Sequence, residues 1–166
     1  IIGPASDPAG IKGMQVPDAL RAVFENKAIF ASRGDDSGTN KKERSLWTNA
    51  GLDIPEEANW YLQTGQGMLS TIRIAAERDA YTLTDRGTYI KYAHSHQGNP
   101  PLSILVQGDE SLFNQYSVIA VSPDNCPDVK YDLATSFIQW IISPDVQKAI
   151  GEFRLLGQQL FTPNAQ

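Results

Sequence analysis

An apolar stretch, Phe30-Ala31, ends in Ser32-Arg33. Gly34 and Gly38 then bracket Asp35, Asp36 and Ser37, and Thr39 leads into the charged run Asn40-Lys41-Lys42-Glu43. This is the composition of a small-anion site. The first N–H groups of a helix have no intrahelical acceptor and carry partial positive charge, so they can hold an anion without burying many full charges. Ser32, Ser37 and Thr39 add hydroxyl donors, and Arg33 adds a planar guanidinium. A plain helix cap explains the serines and aspartates equally well. Arg33 tips the choice, because the positive end of a helix repels an arginine unless an anion lies between them. Ser32, Arg33, Ser37, Gly38 and Thr39 are therefore the candidate first ligands.

Two other runs have the same character. Gly65-Gln66-Gly67-Met68 reads as a second glycine-rich turn that opens a helix, and Thr84, Arg86, Gly87 and Thr88 follow a short apolar stretch. Thr84 and Arg86 complete the candidate set. The first run is not a Walker A loop, since Gly34 and Gly38 are too close and Lys41 is not followed by Ser or Thr. Asp35 and Asp36 read as caps or solvated charges rather than as a cation site, which needs more oxygen ligands. His94 and His96 lie in a polar stretch without Cys or an acidic cluster, and Cys126 has no evident base nearby. No Gly-x-Ser-x-Gly elbow or His-Glu-x-x-His occurs. The residues point to no catalytic group, no metal ligand and no cofactor.

The elements that must carry these loops alternate between strand and helix. Helices are expected at 16–26, 39–50, 68–78, about 86–94, 133–142 and 144–153. Strands are expected at 28–32, 80–83, 103–106 and 116–121, with a strand end at 1–2 and an aromatic segment at 59–62. The class is α/β with a mainly parallel sheet. In such sheets ligands bind outside the carboxyl ends of the strands, where all three polar junctions would fall. The expected division is a middle α/β lobe with hinge strands over 1–121, followed by helices over 122–166.

Composition narrows the partners. Hydrophobic residues make up 41% of the 166 and charged residues 20%, in the globular range. The net charge of −5 argues against sequence-independent nucleic-acid binding, which needs a basic face. It also means that attraction for an anion must come from local donors. No apolar run reaches 18 residues, so no membrane insertion is expected. The single cysteine allows no intrachain disulfide.

The order of these motifs resembles the tungstate-binding extracytoplasmic proteins of ABC importers, within the two-lobed periplasmic binding proteins. The matching runs are Ile1–Pro4, Asp7–Ile11, Ser32–Thr39 with Lys41–Glu43, Trp60-Tyr61, Gly65–Met68, Ala80–Tyr89, Gly108-Asp109 and Asn114–Tyr116. The resemblance implies a type II periplasmic-binding-protein-like fold, with two lobes linked by crossing strands near 1–3 and 116–121 and the first lobe incomplete in this chain. It implies capture of one tungstate or molybdate oxoanion as bound ligand, delivery to an ABC transporter permease, and a periplasmic or secreted location. Asn40 departs from the family, which usually has His there, and its place just inside the helix predicts little effect on the anion. Competing readings are an anion-dependent phosphatase or transferase, a ligand-sensing regulatory domain, and divalent-metal capture through Asp35, Asp36 and the histidines.

Overall fold

In the computed structural model, which describes residues 1–165, the chain divides into two compact units, Ile1–Phe113 and Asn114–Gln166. The first contains β1 (Ile2–Pro4), α1 (Val16–Glu25), β2 (Phe30–Ser32), α2 (Gly38–Asn49), β3 (Tyr61–Gln63), α3 (Met68–Glu77), α4 (Arg86–Ser95), β4 (Leu102–Ile104) and a 3₁₀ turn, Glu110–Leu112.

Two short ladders form the sheet. β1 pairs antiparallel with β4, Gly3 opposite Ser103, and β2 pairs parallel with β3, Ala31 opposite Leu62. Residues 81–82 join them: Thr82 bridges antiparallel to Ile2, and Tyr81 bridges parallel to Phe30. β2, β3, β4 and the 81–82 segment therefore run one way and β1 the other. The carboxyl ends of β2, 81–82 and β3 lie along one edge, and each is followed within a few residues by a helix: α2, α4 and α3 respectively.

Side-chain alternation along the strands decides which helices cover which face. Phe30 and Tyr81 join a buried cluster with Val16, Leu20 and Val23 of α1 and Leu46 and Trp47 of α2. Their neighbours Ala31 and Ala80 join the other cluster, with Ile72 and Ala75 of α3 and Tyr92 of α4. Helical spacing does the rest. Val16, Ala19, Leu20 and Val23 are buried on α1, with Pro17 in its first turn. Aromatic rings fix α2 to the sheet, Phe30 meeting Trp47 edge-on at 5.3 Å and stacking on Tyr61 at 6.1 Å.

The second unit contains α5 (Tyr131–Ile141), α6 (Pro144–Glu152) and a small hairpin, β5 (Arg154–Leu155) with β6 (Gln158–Gln159). Ser143 and Pro144 start α6 as expected, but the Ser143 hydroxyl donates to the Trp140 carbonyl instead of capping. Leu133, Phe137 and Trp140 of α5 are exposed. One expected strand is not observed. Residues 116–121 form no strand among the described residues, because their apolar run has no ladder partner there and a strand alone is not stable.

In the loop that follows β1, one carboxylate gathers several donors. Asp7, in the left-handed region at φ 44°, accepts the N–H groups of Ile11 (3.0 Å) and Lys12 (2.9 Å) and the Tyr81 hydroxyl (2.9 Å). That same hydroxyl oxygen accepts the Ala9 N–H at 2.8 Å. Burial alone would raise the Asp7 pKa; the N–H groups of Lys12 and Ile11 with the Tyr81 hydroxyl hold it below its ordinary 3.8. A depressed carboxyl contributes stability above its unfolded pKa and loses it as pH falls through the folded value. Asp7→Asn is therefore expected to lower unfolding free energy by about 1–3 kcal/mol at neutral pH. The gap to wild type should close as the pH is taken below that of the folded carboxyl. Urea unfolding at neutral and acidic pH measures this; a gap independent of pH would exclude a charge-assisted role for Asp7.

Candidate functional site

The edge where β2 ends carries the long run singled out in the sequence. Between Ser32 and α2 the chain turns through two left-handed residues, Gly34 at φ 61° and Asp36 at φ 58°. Asp tolerates this region better than most side chains. At Gly34 a side chain is excluded by space as well, because a Cβ would stand 2.9 Å from Cβ of Gln63, at the end of the neighbouring strand. Ser37 caps α2, its hydroxyl accepting the Asn40 N–H at 3.3 Å. The N–H groups of Gly38 and Thr39, the first two of the helix, have no acceptor among the described residues.

Arg33 stands at the base of this turn. One terminal nitrogen of its guanidinium donates to Asp35 Oδ2 at 2.5 Å, and the other oxygen of Asp35 accepts the Ser37 N–H at 3.2 Å. These contacts, the Ser37 side chain first and then Arg33, hold the Asp35 carboxyl below its ordinary range although burial opposes them. Nε of Arg33 is buried and has no partner in the structure. A buried orphan donor on a charged group is uncommon. It is here accompanied by two free helix amides in the same short turn, and this set of donors fits an oxoanion.

The remaining candidates divide by position. Thr39 is half-buried at the helix start. Thr84 and Arg86 lie beyond the 81–82 segment, on the same sheet edge. The Thr84 hydroxyl donates to the Asp85 carbonyl at 3.2 Å, and Arg86 donates to Gln107 Oε1 at 2.8 Å. Among the described residues no hydrogen bond joins that loop to the Ser32–Thr39 turn. The 64–68 turn does meet it: Arg33 O accepts the N–H of Gly65 at 2.8 Å and the Thr64 hydroxyl at 3.4 Å. The N–H groups of Met68 and Leu69, opening α3, are likewise without an acceptor among the described residues.

Ser32 is placed differently from the expectation. It is 1% exposed, and its hydroxyl donates inward to Glu43 Oε2 at 2.5 Å while accepting Asn40 Nδ2 at 3.1 Å. A hydroxyl has one proton, and Glu43 takes it. Glu43 Oε1 accepts Trp47 Nε1 at 2.9 Å and the Tyr61 hydroxyl at 2.7 Å. Burial raises the Glu43 pKa, and Ser32, Tyr61, Trp47 and Asn40 pull it back. Asn40 is 5% exposed, and its Oδ1 accepts the Asp36 N–H at 3.2 Å. Sequence reasoning gave Asn40 and Glu43 no part in the site. The signal for them is spacing: residues 40, 43 and 47 fall on the face of α2 that carries Leu46 inward, so two polar side chains sit on a buried helical stripe.

Asp35 and Asp36 engage cations of the chain itself, Arg33 and Lys41 (3.2 Å) respectively. Among the described residues no group of three or more His, Cys, Asp or Glu side chains is placed to hold a metal ion.

The fold and this edge together define a class. The chain matches the PBP superfamily domain over residues 1–145 and belongs to that family. It is 46% identical over 166 residues to the tungstate-binding protein TupA of Campylobacter jejuni, an alignment covering all of this chain and 61% of that protein. The solved tungstate binding protein TupA from Desulfovibrio alaskensis G20 superposes with a TM-score of 0.94 at 60% identity, over 99% of this chain and 66% of that one. The tungstate ABC transporter structure from Geobacter sulfurreducens matches with a TM-score of 0.73 at 46% identity, over 92% of this chain and 62% of that one. The chain thus spans a little under two thirds of each of these relatives.

The turn's shape rests on Gly34. Gly34→Ala is expected to lower unfolding free energy by about 1–3 kcal/mol, from the left-handed backbone and the contact with Gln63 together. Denaturant titration reads this directly, and an unchanged midpoint would mean the turn yields at no cost.

Proposed function

We propose that the chain is the oxoanion-holding part of an extracytoplasmic solute-binding protein that captures tungstate, or its congener molybdate, for an ABC importer. The observation that carries this reading is the Arg33 guanidinium, with its buried unpartnered Nε, in one turn with the free amides of Gly38 and Thr39. The relatives named above as tungstate-binding proteins support the same cargo.

The mechanism is binding without covalent change. A tetrahedral oxoanion presents only acceptors, and the turn offers Arg33 Nε and the amides of Gly38 and Thr39, with the Thr39 hydroxyl within the same run. Thr84 and Arg86, on the same sheet edge, are second candidates. Donors of this kind favour a fully ionised dianion and penalise a protonated oxyanion, whose O–H would lack an acceptor. Choice among dianions then rests on the size of the enclosed space. Closure of two lobes would remove water and strengthen each hydrogen bond. Release to a permease completes the cycle.

Isothermal titration calorimetry of the full-length protein with tungstate, molybdate, sulfate and phosphate tests the reading. Tight tungstate binding with weak sulfate and phosphate binding is expected, and no binding of any oxoanion would refute it. Arg33→Ala should weaken tungstate binding by more than about tenfold, the equivalent of one charge-assisted hydrogen bond, while the melting transition stays cooperative. Unchanged affinity would remove Arg33 from the ligand set.

A further inference from the structure

Glu43 is a buried carboxylate that the binding mechanism above does not use. It is 3% exposed, lies one turn inside α2 and hydrogen-bonds to no group of the proposed ligand set. Its partners nevertheless form an unbroken chain from the core to the anion turn. Trp47 and Tyr61 donate to Oε1, Ser32 donates to Oε2, Asn40 Nδ2 donates to Ser32 Oγ, and the Asp36 N–H donates to Asn40 Oδ1. The backbone N–H of Asn40 also donates to the Ser37 cap.

Three donors converge on Glu43, the arrangement of an ionised carboxylate, which only accepts, and the direction of every bond in this chain follows from that. Ser32 must therefore give its single proton to Glu43. Its oxygen is then left as an acceptor, and Asn40 must turn its NH₂ toward it. The Asn40 carbonyl oxygen in consequence faces the Asp36 N–H and holds the left-handed residue at the crest of the turn. We propose, on the reading of the turn as the oxoanion site, that Glu43 is a positioning residue: through Ser32 and Asn40 it sets the hydrogen-bond polarity that fixes the Asp36–Ser37 turn and so aims the free amides of Gly38 and Thr39.

The amide isostere, Glu43→Gln, exposes this role, because it keeps the volume and breaks the polarity. With the introduced NH₂ turned toward the partners of Oε1, the Trp47 N–H meets a donor. Turned the other way, that NH₂ donates to Ser32. Then either the Ser32 proton has no acceptor, or Asn40 reverses and its NH₂ meets the Asp36 N–H. Each arrangement orphans one donor, buried at Trp47 or Ser32 and part-buried at Asp36, which is costly. A second change repairs the circuit. With Asn40→Asp added, the introduced amide donates to Ser32, Ser32 donates to one oxygen of the introduced carboxylate, and the other oxygen accepts the Asp36 N–H. The net charge equals that of the wild type.

The test uses the full-length protein with two readouts, tungstate affinity by calorimetry and hydrogen exchange of the Asp36 amide. Glu43→Gln is expected to weaken tungstate binding by about tenfold, the equivalent of one buried hydrogen bond, and to speed Asp36 exchange. Adding Asn40→Asp should slow Asp36 exchange back toward the wild-type rate, a rescue that a volume-filling role for Glu43 does not predict. Wild-type affinity and exchange in Glu43→Gln, or no rescue of exchange by Asn40→Asp, would overturn the proposal. Should Glu43→Gln fail to fold, Asn40→Ala decides, since it leaves all three donors to Glu43 in place: faster Asp36 exchange supports the relay, and an unchanged rate overturns it. If the wild type binds no tungstate, the oxoanion reading fails, while the exchange measurements still decide the role of Glu43.

Discussion

The first unit is organised around the carboxylate of Glu43. A lone carboxylate carried into the interior loses its hydration at a cost of several kcal/mol, and only well-placed donors offset it. Here the donors come from three elements: Ser32 from β2, Tyr61 from β3, and Trp47 from α2 itself. Helix and sheet are thereby locked in register at the point where the sheet delivers its chain to the anion turn. Apolar packing does not set that register as sharply, because Phe30, Trp47 and Tyr61 could slide against one another at little cost while a hydrogen bond is lost within a fraction of an ångström.

The second constraint is directional. β2, β3 and the 81–82 segment run parallel, so three helices begin on one edge of the sheet. Their first N–H groups are the cheapest anion donors a chain of net charge −5 can assemble, because they carry no formal charge and need no counter-ion when the site is empty. The left-handed turn at Gly34 and Asp36 brings the start of α2 back over the strand end. Its close approach to Gln63 leaves room for hydrogen there and for nothing larger.

Most of this architecture is legible in the sequence, since apolar spacing marks α1, Gly51 stops α2, and the start of α2 is written in Ser37-Gly38-Thr39. The turn was legible too, through Gly34 and Gly38. The inward course of the Ser32 hydroxyl was not. Which way a hydroxyl donates depends on a group eleven residues along the chain, on another element, and nothing local to Ser32 reports it. Asn40 escaped for the same reason: just inside the helix start it is expected to have little effect on the anion, and only the buried Ser32 and the Asp36 N–H give it a task. The 116–121 segment failed differently. An apolar run marks a segment that could be a strand, whereas strand formation needs a neighbour, and pairing is not encoded in a single segment.

The two halves of the turn divide their labour. On its inner side Ser32, Asn40 and Glu43 hydrogen-bond one another, and the single Ser32 proton is spent on Glu43, so that hydroxyl has no donor left for a guest. On its outer side Asp35 holds one terminal nitrogen of the Arg33 guanidinium and the Ser37 amide, and leaves Nε without a protein partner. Asp35 also cancels much of the arginine's charge. On the proposed reading the turn would therefore present an anion with oriented dipoles and one prepositioned N–H edge instead of a strong net field. A site of that kind gains less from long-range attraction and more from having its donors fixed before the guest arrives. How well an anion fits among those donors would then follow from where they point, which on the proposal above is set from the inner side of the turn.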